Sequence, residues 1–385
     1  MKSNFIFYLS IFSLVTFWSC SNDDETTTPT PDLIDRTTVA ANYANIVLTN
    51  YQDALADAQL LKAAIDAFVA DPTETNFQAA KTAWLNSRES YGPSEAFRFA
   101  NGPIDSGDTE DIEGWLNSWP LDEAYIDYVD GDEGSGFIND TSFEINKANL
   151  ITQNGVDGDE NVTIGYHAIE FLLWGQDLTD PNSNQAGLRP YTDFVDGGTA
   201  QNQDRRRVYI AVCAELIIEH LQVMVDEWSG SYKNTFLALN SNTAIDNMLS
   251  SIAELSRSEL AIERMAVALE EQNQEDEHSC FSDNTHRDIR LNWNGVVNVY
   301  RGTYGSISGN SLQDLIQEAD ASLAAELSTL LSNASTTVNA TGIPFDRAIS
   351  GGDSTSEGMK VLQAVQALVA FGDKLLEARP VLGLN

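Results

Sequence analysis

The chain has 385 residues, with 58 acidic side chains against 21 basic ones and a formal net charge of −37 at pH 7. A polyanion of this density is repelled by nucleic acid and by anionic membrane surfaces, so no nucleic-acid partner is expected. The 42% hydrophobic share and the seven Trp exclude a disordered chain, and the length suffices for one large domain or two smaller ones.

Lys2 followed by the mostly apolar run 5–18 reads as a signal peptide, a run too short to span a bilayer comfortably. The run ends at Ser19-Cys20 and turns polar at once with Ser21-Asn22-Asp23-Asp24-Glu25. A Cys at this junction resembles the lipobox of bacterial lipoproteins, which implies a lipid on Cys20. The acidic residues after it resemble the signal that places some Gram-negative lipoproteins on the cell surface. The resemblance implies a cell-envelope protein held to the outer membrane by its anchor. Residues 21–36 have the composition of a flexible tether, with Pro29 and Pro31 and almost nothing apolar to bury. The folded part is expected from about Thr37. Cys213 sits in an apolar helical stripe, where a buried free thiol is the expected state; pairing with Cys280 is the alternative.

Helical periodicity dominates the rest. Val39, Tyr43, Ile46, Val47, Leu55, Ala58, Leu61, Ile65 and Phe68 recur at steps of three and four, and Asp71-Pro72 closes that helix. Phe77, Ala80, Trp84 and Tyr91 mark the next, and 206–228 repeats the pattern through Ile210, Ala214, Ile217, Leu221, Met224 and Trp228. Further helices are predicted at 243–272, 311–333 and 356–378, and no stretch alternates as a half-buried strand would. The expected fold class is all-α, with two helical halves at about 37–228 and 229–385. Long polar stretches at 100–118, 129–161 and 176–205 separate the helices; loops of such length are usually functional or cover something.

The most informative segment is GYHAIEFLLWG, residues 165–175. As a helix it is apolar nearly all round, and such a helix is buried. His167 and Glu170 break the rule three residues apart on one face. Burying a carboxylate costs several kcal/mol unless it is paired or hydrogen-bonded. Three readings follow: a pair that merely pins helices together, a ligand or metal site with His167 and Glu170 as two donors, or a metallopeptidase. The last lacks support in the motifs, since there is no H-E-x-x-H and Phe171 stands where H-x-x-E-H needs its second His. A second segment, EDEHSCFSDNTHRD at 275–288, gathers Ser282, Asp283 and His286, with His278 four residues before Ser282. It is either a solvated acidic turn or a site in which these groups converge. A third, ESYGPSEAFRF at 89–99, holds Glu95 and Arg98 three apart, as a surface ion pair or as a half-buried pair facing the same site.

GYHAIEFLLWG resembles the G-x-H-x-x-E signature of the imelysin family, also called peptidase family M75. SEAFRFANGPID and SWPLDEAYIDY resemble landmarks of that family's first half; EHSCFSDNTHRD, NVYRGTYG and PFDRAI resemble those of its second half. The resemblance runs from about residue 37 to the C-terminus. It implies two bundle-like helical halves related by duplication, with a site at their interface and a link to bacterial iron uptake. Carried over, His167 and Glu170 match the signature, Ser282, Asp283 and His286 the second cluster, and Glu95 and Arg98 the first-half landmark. The expectation is therefore a lipoprotein that binds iron, or an iron-bearing or anionic small ligand, and works with iron-uptake partner proteins. His167 and Glu170 are the expected metal donors, and the guanidinium of Arg98 is a reason to expect an anion. The alternative is a hydrolase with Glu170 or His167 as general base and Ser282 as a nucleophile beside His286.

Overall fold

The computed structural model describes residues 33–105 and 112–384; Cys20, the signal peptide and most of the tether lie outside them. Helix α1 (Arg36–Ala70) begins where the carboxylate of Asp35 accepts from the Thr37 amide at 2.9 Å, an N-cap that satisfies one orphan donor. It turns at Asp71 into α2 (Glu74–Tyr91), capped by Thr73. The apolar stripe of α1 packs on α2 and on α4 (Gln203–Ser229), and α3 (Tyr166–Trp174) is wedged between α2 and α4. Each fully buried Leu, Ile or Phe on these faces contributes roughly 1.5–3 kcal/mol, so the stripe is what holds the helices in register.

The second group is built on α5 (Ser241–Glu254), which continues through a π-wound stretch at Leu255–Ala266 into the turn Val267–Glu271. Helix α6 (Thr285–Arg301), α7 (Ala321–Ala340) and α8 (Ser356–Leu376) complete it, with α8 packed on the π-wound stretch and on α7. The two groups meet where α6 lies against the short helical segment Gly92–Phe97. Gly295 of α6 makes that approach feasible, because a Cβ there would sit 2.3 Å from the Pro93 carbonyl oxygen.

The fold is all-α, as expected, with one two-stranded hairpin in which Thr303 pairs with Ser308 and Tyr304 with Ile307. The helix expected over 243–272 has the right extent but not the right winding. The one expected over 311–333 is two helices, Leu312–Ala319 and α7, because the Asp320 side chain accepts from the amides of Ser322 and Leu323 and starts a new helix there. Helix α6 was not among the expected elements, although Ile289, Trp293, Val296 and Tyr300 carry the helical period. Cys213 and Cys280 are buried free thiols.

The polar stretches are ordered by buried arginine contacts together with a few buried apolar side chains such as Ile138 and Leu150. Asp127, fully buried, accepts from Arg206 at 2.7 and 2.8 Å and pairs with Arg189. Next to it on α4, Arg205 donates to the carbonyls of Phe137, Ile138, Asp140 and Phe143 at 2.7–2.9 Å. One turn of α4 thereby pins the loop 127–143.

Candidate functional site

Helix α3 owes its shape to its two ends. Gly165 has φ +95°, a conformation that L side chains rarely adopt, and a Cβ there would lie 2.7 Å from the Leu116 carbonyl oxygen. Every residue from Tyr166 to Trp174 is buried. The Trp84 indole donates to the Tyr166 carbonyl at 2.9 Å and the Tyr209 hydroxyl to the Thr163 carbonyl at 2.8 Å, so the strand of chain entering α3 is tied to both flanking helices.

His167 and Glu170 face each other on this helix, with Nδ1 2.8 Å from Oε2. The other carboxyl oxygen, Oε1, accepts from the Ser282 amide at 3.0 Å and from its hydroxyl at 2.6 Å. Burial pushes the Glu170 carboxyl up to about 8, with the Ser282 hydroxyl pulling the other way. Burial holds the His167 imidazole well below its ordinary value, helped by the positive charges of Arg88 and Arg264. At neutral pH the pair is thus a hydrogen bond between uncharged groups. His167 Nε2 is left buried with no hydrogen-bond partner.

The surroundings of Nε2 are aromatic and imidazole. The ring of His278 stands edge-on to His167 with centroids 4.7 Å apart, and Trp119 covers both rings at 4.9 and 6.3 Å. Trp119 and His278 in turn line a cavity of about 300 Å³, together with Asn117, Arg98, Arg264, Glu113, Glu259, Glu263 and Asp276. His167 therefore lies one side chain behind the cavity floor.

Asn117 is the hub of the floor. Its oxygen accepts from Arg88 at 2.6 Å, while its amide nitrogen donates to Glu95 and to His278 Nε2, each at 3.2 Å. His278 accepts that bond through a lone pair, so its proton sits on Nδ1; burial and the charge of Arg264 keep the ring neutral. Arg88 is locked by Asp288 at 3.1 Å, and Asp288 also accepts from Ser279. Glu95 is held by Arg264 at 2.7 Å and by Arg98 at 3.4 Å; burial opposes its charge, but the guanidinium groups outweigh it and lower its pKa. Arg98 further reaches Glu113 and Glu259, both at 3.2 Å.

The structure brings His167, Glu170 and Ser282 into one hydrogen-bonded unit, and it sets Glu95 and Arg98 beside the adjoining cavity. The alternative of a solvent-exposed Glu95–Arg98 pair fails, because Glu95 is 1% exposed. Asp283 and His286 go elsewhere. Asp283 has φ +57°, and this turn sends its side chain away from that of Ser282, toward Asp177 and Asp346. His286 Nδ1 donates to the Asp283 carbonyl at 3.0 Å, and among the described residues no hydrogen bond joins it to Ser282, His167 or Glu170. The Ser282–His286 pairing that a serine-type hydrolase needs is absent there.

Sequence reasoning passed over Arg88, Asn117, Trp119, Arg264 and Asp288. Two of these carried the same signal that exposed His167: Arg88 interrupts the buried face of α2 between Trp84 and Tyr91, and Arg264 that of Leu260, Ala261 and Met265. The π winding of Leu255–Ala266 is what brings Glu259 and Arg264 to one carboxylate-lined wall, and such windings recur at functional sites. Asn117 and Trp119 carried no periodic signal, since they lie in an irregular segment.

The family model for imelysin (peptidase M75) matches residues 47–375. Iron-regulated protein A of Synechococcus elongatus is 25% identical over 360 residues, covering 90% of this chain and 86% of that protein. A crystal structure from Parabacteroides distasonis, described provisionally as an iron-regulated protein A precursor, superposes with a TM-score of 0.69 at 19% identity, over 92% of this chain and 97% of that one. This last likeness speaks to the fold.

Proposed function

Because the chain belongs to the imelysin family, we propose that it serves iron handling at the cell envelope, binding iron, as an ion or within a small ligand, in the cavity over Trp119 and His278. The observation that carries this reading is His167 Nε2, a buried ring nitrogen with no partner, next to Trp119 and His278 of the cavity lining; a metal there would keep the ring proton on Nδ1, donated to an ionised Glu170. A buried polar atom left without a hydrogen bond costs about 1–3 kcal/mol, a cost a binding site has reason to keep. Imidazole and carboxylate donors suit iron among the transition metals. The name of the Synechococcus relative supports the iron context.

The lining also favours a cation over an anion. Four carboxylates (Glu113, Glu259, Glu263 and Asp276) share it with two guanidinium groups. Arg98, which in isolation suggests an anionic ligand, already serves Glu95, Glu113 and Glu259, and Arg264 serves Glu95 and Glu259. Both guanidinium groups are thus already paired with carboxylates, with Arg98 Nε alone keeping no hydrogen-bond partner. A lipid on Cys20 would place this cavity at the outer membrane, where iron-uptake partners are met.

The test is iron titration of the full chain beside a His167→Ala/Glu170→Gln variant with its helicity checked. Stoichiometric iron in the parent, weakened by on the order of tenfold or more in the variant, is expected. A parent with no affinity for ferric or ferrous iron, free or chelated, would rule the reading out.

A further inference from the structure

Asp177, Asp283 and Asp346 each turn a carboxylate oxygen to one point, and these oxygens lie within 4.8 Å of one another. They come from three distant stretches: Asp177 follows the end of α3, Asp283 follows Ser282, and Asp346 opens the short helix Phe345–Ile349. Asp177 and Asp346 are each 2% exposed, and each of the three keeps one oxygen without a hydrogen-bond partner. A fourth carboxylate points to a ligand independently. Glu277 is fully buried and neither of its oxygens has a hydrogen-bond partner in normal geometry. The charges that press on it are those of Asp346, Asp283 and Asp177, with the Thr285 hydroxyl the one neighbour favouring its ionised form. Four carboxylates, three of them buried and Asp283 half-buried, do not gather without either protons or a cation among them.

We infer that Asp177, Asp283 and Asp346, with the unpartnered Glu277 buried beside them, form a binding site for a calcium ion, separate from the His167 cavity. The donors are all hard oxygens, with no imidazole or thiolate among them, which disfavours zinc and copper. Oxygens within 4.8 Å of one another are close enough to share one ion. Ligand kind selects within the hard cations: calcium takes about six to eight oxygens in flexible geometry and accepts several protein carboxylates, whereas magnesium usually keeps its waters and takes only about one or two. Without the ion the cluster holds protons instead: mutual repulsion and burial push Asp283 up to about 7 and Asp346 to about 6. Calcium here would tie the exit of α3 to the segment carrying Ser282, and so brace the partner of Glu170 from behind.

The experiment is calcium titration of the chelator-treated full chain, followed by calorimetry and by thermal unfolding, with magnesium and ferric iron as comparators. Calcium is expected to bind once per chain, in the range of about 0.1–1 mM or tighter, and to raise Tm. Asp177→Asn/Asp346→Asn keeps the shape and removes two charges. It should lose the calcium response while melting no lower than the calcium-free parent, because two carboxyl groups that must be protonated to stay buried become neutral amides. If that variant does not fold, the single Asp346→Asn carries the same test. His167→Ala should keep the calcium response, which separates this site from the iron reading. No calcium binding by the parent, undiminished binding by the Asn variant, or a response to iron or magnesium in place of calcium would each overturn the inference.

Discussion

Glu170 divides its two oxygens between two tasks: one receives Ser282 from a distant loop, the other orients His167. Because the tasks need a hydrogen-bonding shape rather than a charge, the carboxyl remains protonated up to about pH 8. A carboxyl whose folded pKa is raised contributes stability that is fully present below its unfolded value and is lost as pH rises through the folded one. The parent should therefore lose unfolding free energy as pH is raised from about 5 to 9, and Glu170→Gln should flatten that slope. Denaturant melts across this window check it; a slope unchanged by the substitution would mean that Glu170 is charged in the native state. His167 titrates in the opposite sense. Its folded pKa is depressed, so protonation in acid opposes folding and adds to acid instability.

At the scale of elements, α3 is held by backbone approach and by charge at a distance. Gly165→Ala would put a methyl group 2.7 Å from the Leu116 carbonyl oxygen in a backbone conformation that Ala resists. Strain of about 1–3 kcal/mol plus the displaced contact predicts a clear fall in Tm, and a loosened α3 read by amide exchange. The loops around the site depend on α4. Asp127→Ala would leave Arg189 and Arg206 buried without their carboxylate. Breaking such a group from one side costs about 3–5 kcal/mol. The matching observation is destabilisation of that size in urea, with amide exchange rising first in 127–143. The stretch 129–161 is held partly by Arg205 of α4, through the carbonyls of 137–143, and partly by its own buried Ile138 and Leu150.

For the whole molecule, the net charge of −37 opposes compaction. Raising ionic strength from about 0.01 to 0.15 M shortens the screening length from about 30 to 8 Å, and Tm should rise accordingly. Buried and half-buried acids add a pH term in calcium-free buffer. Asp283, pushed up by burial to about 7, and Asp346, to about 6, lose their stabilising contribution as pH climbs through those values. Glu95 and Asp127 are depressed by arginines and lose theirs in acid, below the ordinary carboxylate range. Maximal stability is thus expected near pH 5–6, roughly, rather than at pH 8. A Tm that climbs steadily from pH 5 to 8 in chelator would contradict the assignment of the raised group.

Much of this protein was legible in the chain itself, because helical period, caps and turn residues are local. The stripes of α1, α2, α4 and α8 and the break at Asp71-Pro72 follow from residues within a few positions of each other. His167 and Glu170 stood out for the same reason: two polar groups in a run with no polar neighbours are visible without knowing what surrounds them. Partners are another matter. That Ser282 meets Glu170 while its neighbour Asp283 turns to Asp177 and Asp346 depends on one residue's φ angle and on chain segments more than 60 positions away. The site wall of Glu259 and Arg264 depends on a π winding that no apolar spacing announces. The sequence by itself determined which faces are buried and which polar groups are buried with them. Only the tertiary structure decided what each of those groups touches, because a buried charge selects its partner across space, after packing has brought distant segments together.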